Sequence, residues 1–173
     1  PEGEPMARAH ELTATGHAIR NLEVLYENTQ RWQDLVELYE RKLALIEDDG
    51  TRIETWLHVG TIQQDNLRNT DAAAATYRAI LERDPGQVDA SMRLEAIYEG
   101  HEQWRELAAL LLQRNNHLEP DEQLLNLQRL AQVHEQRLGE ADNAFIVLQN
   151  ANEIAPDDAH VMSELERLAA ITG

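Results

Sequence analysis

An internal repeat is the feature that most restricts how this chain can fold. The segment 21–45 reappears in one register as the segment 93–117, which lies 72 residues later. Seven positions are identical without a gap, and such agreement is the signature of a repeat architecture. The identical pairs are Leu22 and Leu94, Glu23 and Glu95, Tyr26 and Tyr98, Glu27 and Glu99, Trp32 and Trp104, Leu35 and Leu107, and Leu38 and Leu110.

A second series of matches alternates with the first, at an offset of 71 residues. A fifth partial copy begins at Ala159, where Leu165 and Glu166 repeat the Leu-Glu pair at 22–23 and 94–95. The elementary period is therefore about 36 residues, which is in the range of stacked helical repeats. In the second series Trp56, Leu67, Asp71, Ala73 and Pro85 correspond to Leu127, Leu138, Asp142, Ala144 and Pro156.

Each unit has the pattern of two antiparallel helices. Apolar residues recur three or four positions apart, a polar stretch interrupts them, and residues that favour helices dominate the composition. We therefore expect an all-α protein. Gly100 predicts the break within the third unit, and Gly or Pro residues follow the other units. The predicted helices span 15–28, 31–47, 52–67, 70–84, 88–99, 102–117, 121–138, 140–154 and 158–171.

Composition excludes several classes of partner. The net charge is −17, and this acidic balance argues against binding to nucleic acid. No stretch approaches the roughly 18 apolar residues of a membrane span, so we expect no direct membrane insertion. The chain has no cysteine, which excludes disulfides and thiolate metal sites and fits a reducing compartment. We expect a cytoplasmic location.

Residue patterns of catalysis are missing from the sequence. The seven histidines form no i, i+4 pair and no HExxH motif, and no glycine-rich phosphate loop occurs. Ser91 and Ser163 lack the flanking glycines of a nucleophile elbow. The paired carboxylates at 48–49 and 157–158 precede predicted helices, where N-capping explains them. We predict no enzyme activity, no cofactor and no metal site.

The repeat unit resembles the tetratricopeptide repeat, whose pattern is W-x-x-L-G-x-x-Y, then A-x-x-x-F, then Pro. The second unit matches it with Trp56, Val59, Gly60, Ala73, Tyr77 and Pro85, and the fourth follows with Leu127, Leu130, Ala131, Ala144, Leu148 and Pro156. Half-a-tetratricopeptide repeats are the nearest alternative. Pro85 and Pro156 favour the tetratricopeptide reading because they stand where its units end. The alternation also resembles that of bacterial scaffold-type arrays.

Three departures from the family pattern carry expectations of their own. Gln63 and His134 replace the family tyrosine, and one extra residue lies between Gly60 and Ala73. Glutamates at 23, 95 and 166 occupy a position where the family prefers a small residue. We therefore predict an arginine partner or solvent for each of these three carboxylates.

The resemblance implies a right-handed superhelical α-solenoid of about four and a half repeats, in which neighbouring helix pairs bury each other's apolar faces. We expect one such solenoid over residues 1–173, forming part of a longer array. The repeats are expected at about 16–50, 51–87, 88–121 and 122–158, with a terminal helix at 159–171.

In this family the first helix of each pair lines a concave groove, and the resemblance implies that partners bind there. Arginines in this groove could contact acidic groups of a partner, or could instead balance Glu27, Glu99 and Glu135 on a solvated face. The groove positions, carried onto this chain, are His17, Arg20, Asn21, Val24, Glu54, Leu57, His58, Thr61, Met92, Arg93, Ala96, Gln128, Arg129 and Gln132.

The predicted function is that of a non-catalytic scaffold that binds a protein or peptide partner in the concave groove. One alternative is a structural spacer or self-assembly segment, because Leu165, Leu168 and Ile171 on the terminal helix have no second helix to cover them. Self-association would then use this terminal helix. A weaker alternative is an adaptor that recognises a small signalling GTPase.

Overall fold

The computed structural model describes the backbone of residues 3–172 and the side chains of residues 16–171. The described residues form helices and connecting turns without a strand, which confirms the all-α prediction. The helices are α1 Gly3–Asn28, α2 Trp32–Leu43, α3 Asp49–Thr61, α4 Thr70–Arg83, α5 Val88–Gly100, α6 Trp104–Asn115, α7 Pro120–Gln132, α8 Ala141–Ile154 and α9 Ala159–Thr172. Among the described residues, no helix combines the length and apolar character that a membrane crossing requires.

Two compact units divide the chain, Pro1–Ile80 and Leu81–Gly173. In the first unit α2 packs against both α1 and α3. In the second unit each helix from α5 to α9 packs against the next one along the chain. The core of the first unit contains Leu35, Val36, Tyr39, Val59 and Ile62. The largest fully buried aliphatic side chains of the second unit are Leu94, Leu107, Leu111, Leu130, Val161 and Leu168.

The helix starts follow the capping rules that the sequence indicated. Asp48 accepts a hydrogen bond of 2.7 Å from the backbone N–H of Thr51, and this bond lowers the pKa of the Asp48 carboxyl. Asp158 accepts bonds from the N–H groups of His160 and Val161. The predicted capping role of both paired carboxylates is thus confirmed. α1 starts at Gly3 rather than at residue 15, and the side chain of His10 lies outside the described residues.

Two π-helical segments explain the extra residue in the second and fourth units. Ile62–Asn66 continues α3, and Val133–Leu138 continues α7 at the equivalent place, 71 residues later. The N–H of Leu67 donates to the carbonyl of Ile62, five residues back. A π-helical turn holds one residue more than an α-helical turn of the same height, so it accommodates the insertion without breaking the helix.

The residues that replace the family tyrosine lie in these π-helical segments and remain hydrogen bonded. In the first unit Thr76 Oγ1 donates to Gln63 Oε1 over 2.8 Å. In the second unit His134 Nδ1 lies 2.9 Å from Glu140 Oε2, and hydrogen bonds from Asn143 and His134 lower the pKa of Glu140. Polar contacts to the following helix therefore take over from the tyrosine.

The turns between helices place three non-glycine residues in the left-handed region. Gln30 and Glu102 have φ of 55° and 56° at equivalent positions of the first and third units, and Arg68 has φ of 56°. Gly139, 71 residues after Arg68, has φ of 70°. The predicted break at Gly100 is therefore wrong by two residues, because Gly100 ends α5 in a helical conformation and Glu102 makes the turn.

Replacing Glu102 with glycine should raise the free energy of unfolding by about 0.5–1 kcal/mol, because glycine adopts positive φ without a steric penalty. Urea unfolding followed by far-UV circular dichroism measures this change. The reverse substitution, Gly139→Ala, should lower stability by a similar amount and serves as the matched control. Equal stability of both variants and the unmodified chain would contradict the assigned conformations.

Candidate interaction surface

The fourteen predicted groove residues lie on the first helix of each pair, namely α1, α3, α5 and α7, and none of them is buried. Solvent reaches every one of these side chains, as a binding surface requires. Fully exposed are His17, Arg20, Asn21, Val24, Glu54, His58, Met92, Ala96 and Gln132. Partly exposed are Leu57, Thr61, Arg93, Gln128 and Arg129.

Glu95 is the centre of an ion-pair cluster that joins three helices of the second unit. Its side chain is 4% exposed, and its carboxylate accepts a 2.6 Å bond from Arg114 on α6. Arg129 on α7 donates to the other oxygen of Glu95 over 2.5 Å and to Glu99 over 2.6 Å. Ser91 adds a longer bond of 3.4 Å. A buried carboxylate needs such compensation, and here two guanidinium groups supply it.

The cluster confirms that Glu95 has arginine partners and brings α5 and α7 side by side. It also decides how Arg129 is used. Burial opposes the charge of Arg129, but its bonds to Glu99 and Glu95 prevail and raise the pKa of the guanidinium. Arg129 therefore balances carboxylates of its own chain, which was the alternative to a contact with an acidic partner.

A second arginine links the following pair of first helices in the same way. Arg167 on α9 donates two bonds, of 2.6 and 2.7 Å, to Glu135 in the π-helical segment after α7. It also binds Glu164 on its own helix, and these hydrogen bonds raise its pKa. Bidentate arginine–carboxylate pairs fix geometry as well as charge. They order the first helices α5, α7 and α9 in a row.

Glu23 in the first unit has a lysine in place of the arginine at the equivalent position. Lys42 Nζ lies 2.8 Å from Glu23 Oε1 and 5.4 Å from the centre of the Tyr39 ring. Tyr39 also stacks on His58, with 6.2 Å between ring centres. Burial, together with the charges of Glu23 and Glu27, raises the pKa of Tyr39 to about 12.

Exposed aliphatic residues on α5 and α7 are the part of the surface that the sequence mapping missed. Leu125 is 67% exposed and lies one turn before Gln128, while Val88 is 54% exposed and lies one turn before Met92. The helical spacing of 125, 128 and 132 could have indicated the first of these residues. We define the first-helix face as the exposed or partly exposed residues Val88, Met92, Ala96, Leu125, Gln128 and Gln132.

A pocket of about 410 Å³ adjoins the C-terminal end of this face. The guanidinium carbon of Arg137 lies 4.7 Å from the centre of the Trp104 ring, a cation–π arrangement. The pocket thus offers a flat cation and amide groups beside apolar surface. Its lining residues are Glu99, Trp104, Arg129, Gln132, Val133, Gln136 and Arg137.

Comparisons with known proteins agree on the kind of repeat. Residues 18–53 match the family model of the tetratricopeptide repeat. The chain is similar to the structure of the MamA RS-1 ArsTM double mutant, with a TM-score of 0.50 and 13% identity over 90% of this chain and 84% of that one. The crystal structure of MamA protein gives a TM-score of 0.49 and 14% identity over 88% and 79% of the two chains. No match is found among curated proteins.

These similarities support the fold at two levels. The family model identifies a tetratricopeptide repeat in residues 18–53, which favours that family over half-a-tetratricopeptide repeats for this segment. The identity of 13% to the solved structure establishes a shared fold alone. The prediction of a tetratricopeptide-type architecture of helix pairs is confirmed.

Proposed function

We propose that this tetratricopeptide-repeat chain is a non-catalytic scaffold for protein–protein interactions, and that its second unit binds a peptide segment of a protein partner on the first-helix face. The observation that carries the proposal is the pair of exposed aliphatic stripes on adjacent helices. Val88 and Met92 lie one turn apart on α5, and Leu125 lies on α7, whose neighbour α5 is joined to it by Arg129.

The chemistry of the face indicates what kind of peptide fits. Aliphatic side chains of a partner would bury surface against Met92 and Leu125, at about 25 cal/mol per Å² of apolar area. Gln128 and Gln132 carry amides that both donate and accept hydrogen bonds, as the backbone of an extended peptide requires. Because Arg129 already binds two carboxylates, the proposal gives apolar anchors a larger part than acidic ones. It also includes a cytoplasmic location.

Peptides selected by display against the chain test this function, with fluorescence anisotropy as the affinity measurement. The double variant Met92→Glu, Leu125→Glu places charges at exposed positions of the face and should weaken binding of the selected peptides at least about tenfold, or 1.4 kcal/mol. The control is Leu112→Glu, since Leu112 on α6 is equally exposed, at 58%, but lies on a second helix. Affinity that falls only in the control would contradict the proposal.

A further inference from the structure

The same ion pair recurs between the two helices of the first unit and of the third. Lys42 binds Glu23 over 2.8 Å, and Arg114 binds Glu95 over 2.6 Å. In both cases the cation stands 19 residues after its glutamate and belongs to the next helix along the chain. The glutamate on a first helix is therefore read by a basic residue on the second helix that covers it.

The covering helices α2 and α6 also share a sequence pattern. Both follow W-x-x-L-x-x-L-x-x-x-(Lys or Arg), at 32–42 and 104–114. The first leucine of each, Leu35 and Leu107, is completely buried. The tryptophan begins the helix in both cases, and the basic residue lies in its last turn. The pattern thus combines an apolar face with one cation at a fixed distance.

α9 repeats the first-helix half of this arrangement. Its Leu165 and Glu166 correspond to Leu94 and Glu95 on α5. The position matching the cation would be 185, which falls outside these 173 residues. Leu94 and Glu95 are 1% and 4% exposed, whereas Leu165 is half-exposed and Glu166 is exposed. The side of α9 that a second helix would cover is therefore open in the described structure.

The opposite side of α9 is already packed. Val161 and Leu168 are buried, like their counterparts Ala90 and Ile97 on α5, and α9 packs on α8. Leu168 therefore needs no further neighbour, contrary to the expectation from the sequence, whereas Ile171 is exposed as expected. Arg167 is engaged by Glu135 and Glu164.

An open pocket of about 590 Å³ lies along the uncovered side, between α8 and α9. It pairs apolar surface from Phe145, Leu165 and Ala169 with two carboxylates, Glu153 and Glu166. Apolar area beside negative charge is complementary to an amphipathic helix that carries a cation. We name this surface the α8–α9 face, and it shares no residue with the first-helix face.

We propose that the α8–α9 face binds a partner helix of the α2 and α6 type, with leucines against Leu165 and Phe145 and a Lys or Arg paired with Glu166. Two copies of this contact within the chain show the charge and spacing that the partner needs. A folded second copy of the chain does not meet this requirement, because Leu35 of its α2 and Leu107 of its α6 are buried. The occupant is therefore a helix from another segment or protein with this pattern.

A helix-stabilised peptide with the sequence of residues 102–117 provides the probe. Labelled and capped at both ends, it should bind the chain in fluorescence anisotropy. Glu166→Arg in the chain should weaken binding at least about tenfold, and so should Arg114→Glu in the peptide. The charge-swapped pair, Glu166→Arg chain with Arg114→Glu peptide, should recover most of the affinity.

Glu37→Arg is the matched control, because Glu37 is an exposed glutamate on α2 and the change alters net charge equally. The proposal is overturned if the peptide fails to bind, if Glu37→Arg weakens binding as much as Glu166→Arg, or if the swapped pair gives no recovery. Light scattering adds a separate outcome. A dimer of folded chains that Glu166→Arg dissociates, without peptide binding, would assign the face to self-association and also overturn the proposal.

Discussion

Replacing both arginines around Glu95 should lower the free energy of unfolding by about 3–5 kcal/mol, because the double variant Arg114→Met, Arg129→Met leaves a buried carboxylate without a partner. Each single variant should cost less, since the other arginine still binds one oxygen of Glu95. Urea unfolding followed by far-UV circular dichroism measures these losses.

A third substitution separates the charge effect from lost packing. Adding Glu95→Met to the double variant should restore most of the stability, since replacing a whole buried ion cluster by apolar residues is often neutral. Arg105→Met is the surface control. It breaks a 3.2 Å pair with Glu140 in which the arginine is 78% exposed, and should cost less than about 1 kcal/mol. A triple variant as unstable as the double would show that the arginine stems, rather than the carboxylate, account for the loss.

The repeat register predicted much of the architecture because each helix pair buries the same positions. The identity of Glu23 and Glu95 was enough to predict basic partners, since a charged residue at a packed position needs compensation. The sequence did not show which arginine would supply it. Arg129 reaches Glu95 across 34 residues of sequence, and that contact depends on how α7 lies against α5.

Local backbone conformation was the part that residue types predicted least well. The extra residue before Ala73 was visible, but a loop and a π-helical turn accommodate an insertion equally well at the level of sequence. Similarly, Gly100 attracted the predicted break although Glu102 adopts the positive φ. Tertiary packing holds Glu102 in this conformation despite its intrinsic cost, so glycine was a misleading signal.

Gly60→Ala should lower the free energy of unfolding by about 1–3 kcal/mol, although alanine is the better helix former by roughly 0.5–1 kcal/mol. A Cβ at this position would lie 2.5 Å from Cε1 of Tyr77 and 2.9 Å from its Cζ. The Tyr77 ring is completely buried, so it cannot move aside without disturbing its neighbours. Gly100→Ala is the control, because no atom lies within 4 Å of the added carbon there, and its stability should stay equal or rise.

The fourth unit indicates how the clash can be relieved. Ala131 and Leu148 occupy the positions of Gly60 and Tyr77, so a larger residue on the first helix is matched by a smaller one opposite. In the Gly60→Ala background, Tyr77→Leu should therefore cost at least about 1 kcal/mol less than it does alone, as a double-mutant cycle in urea would show. Strict additivity of the two changes would mean that the backbone, rather than the ring, absorbs the added methyl group.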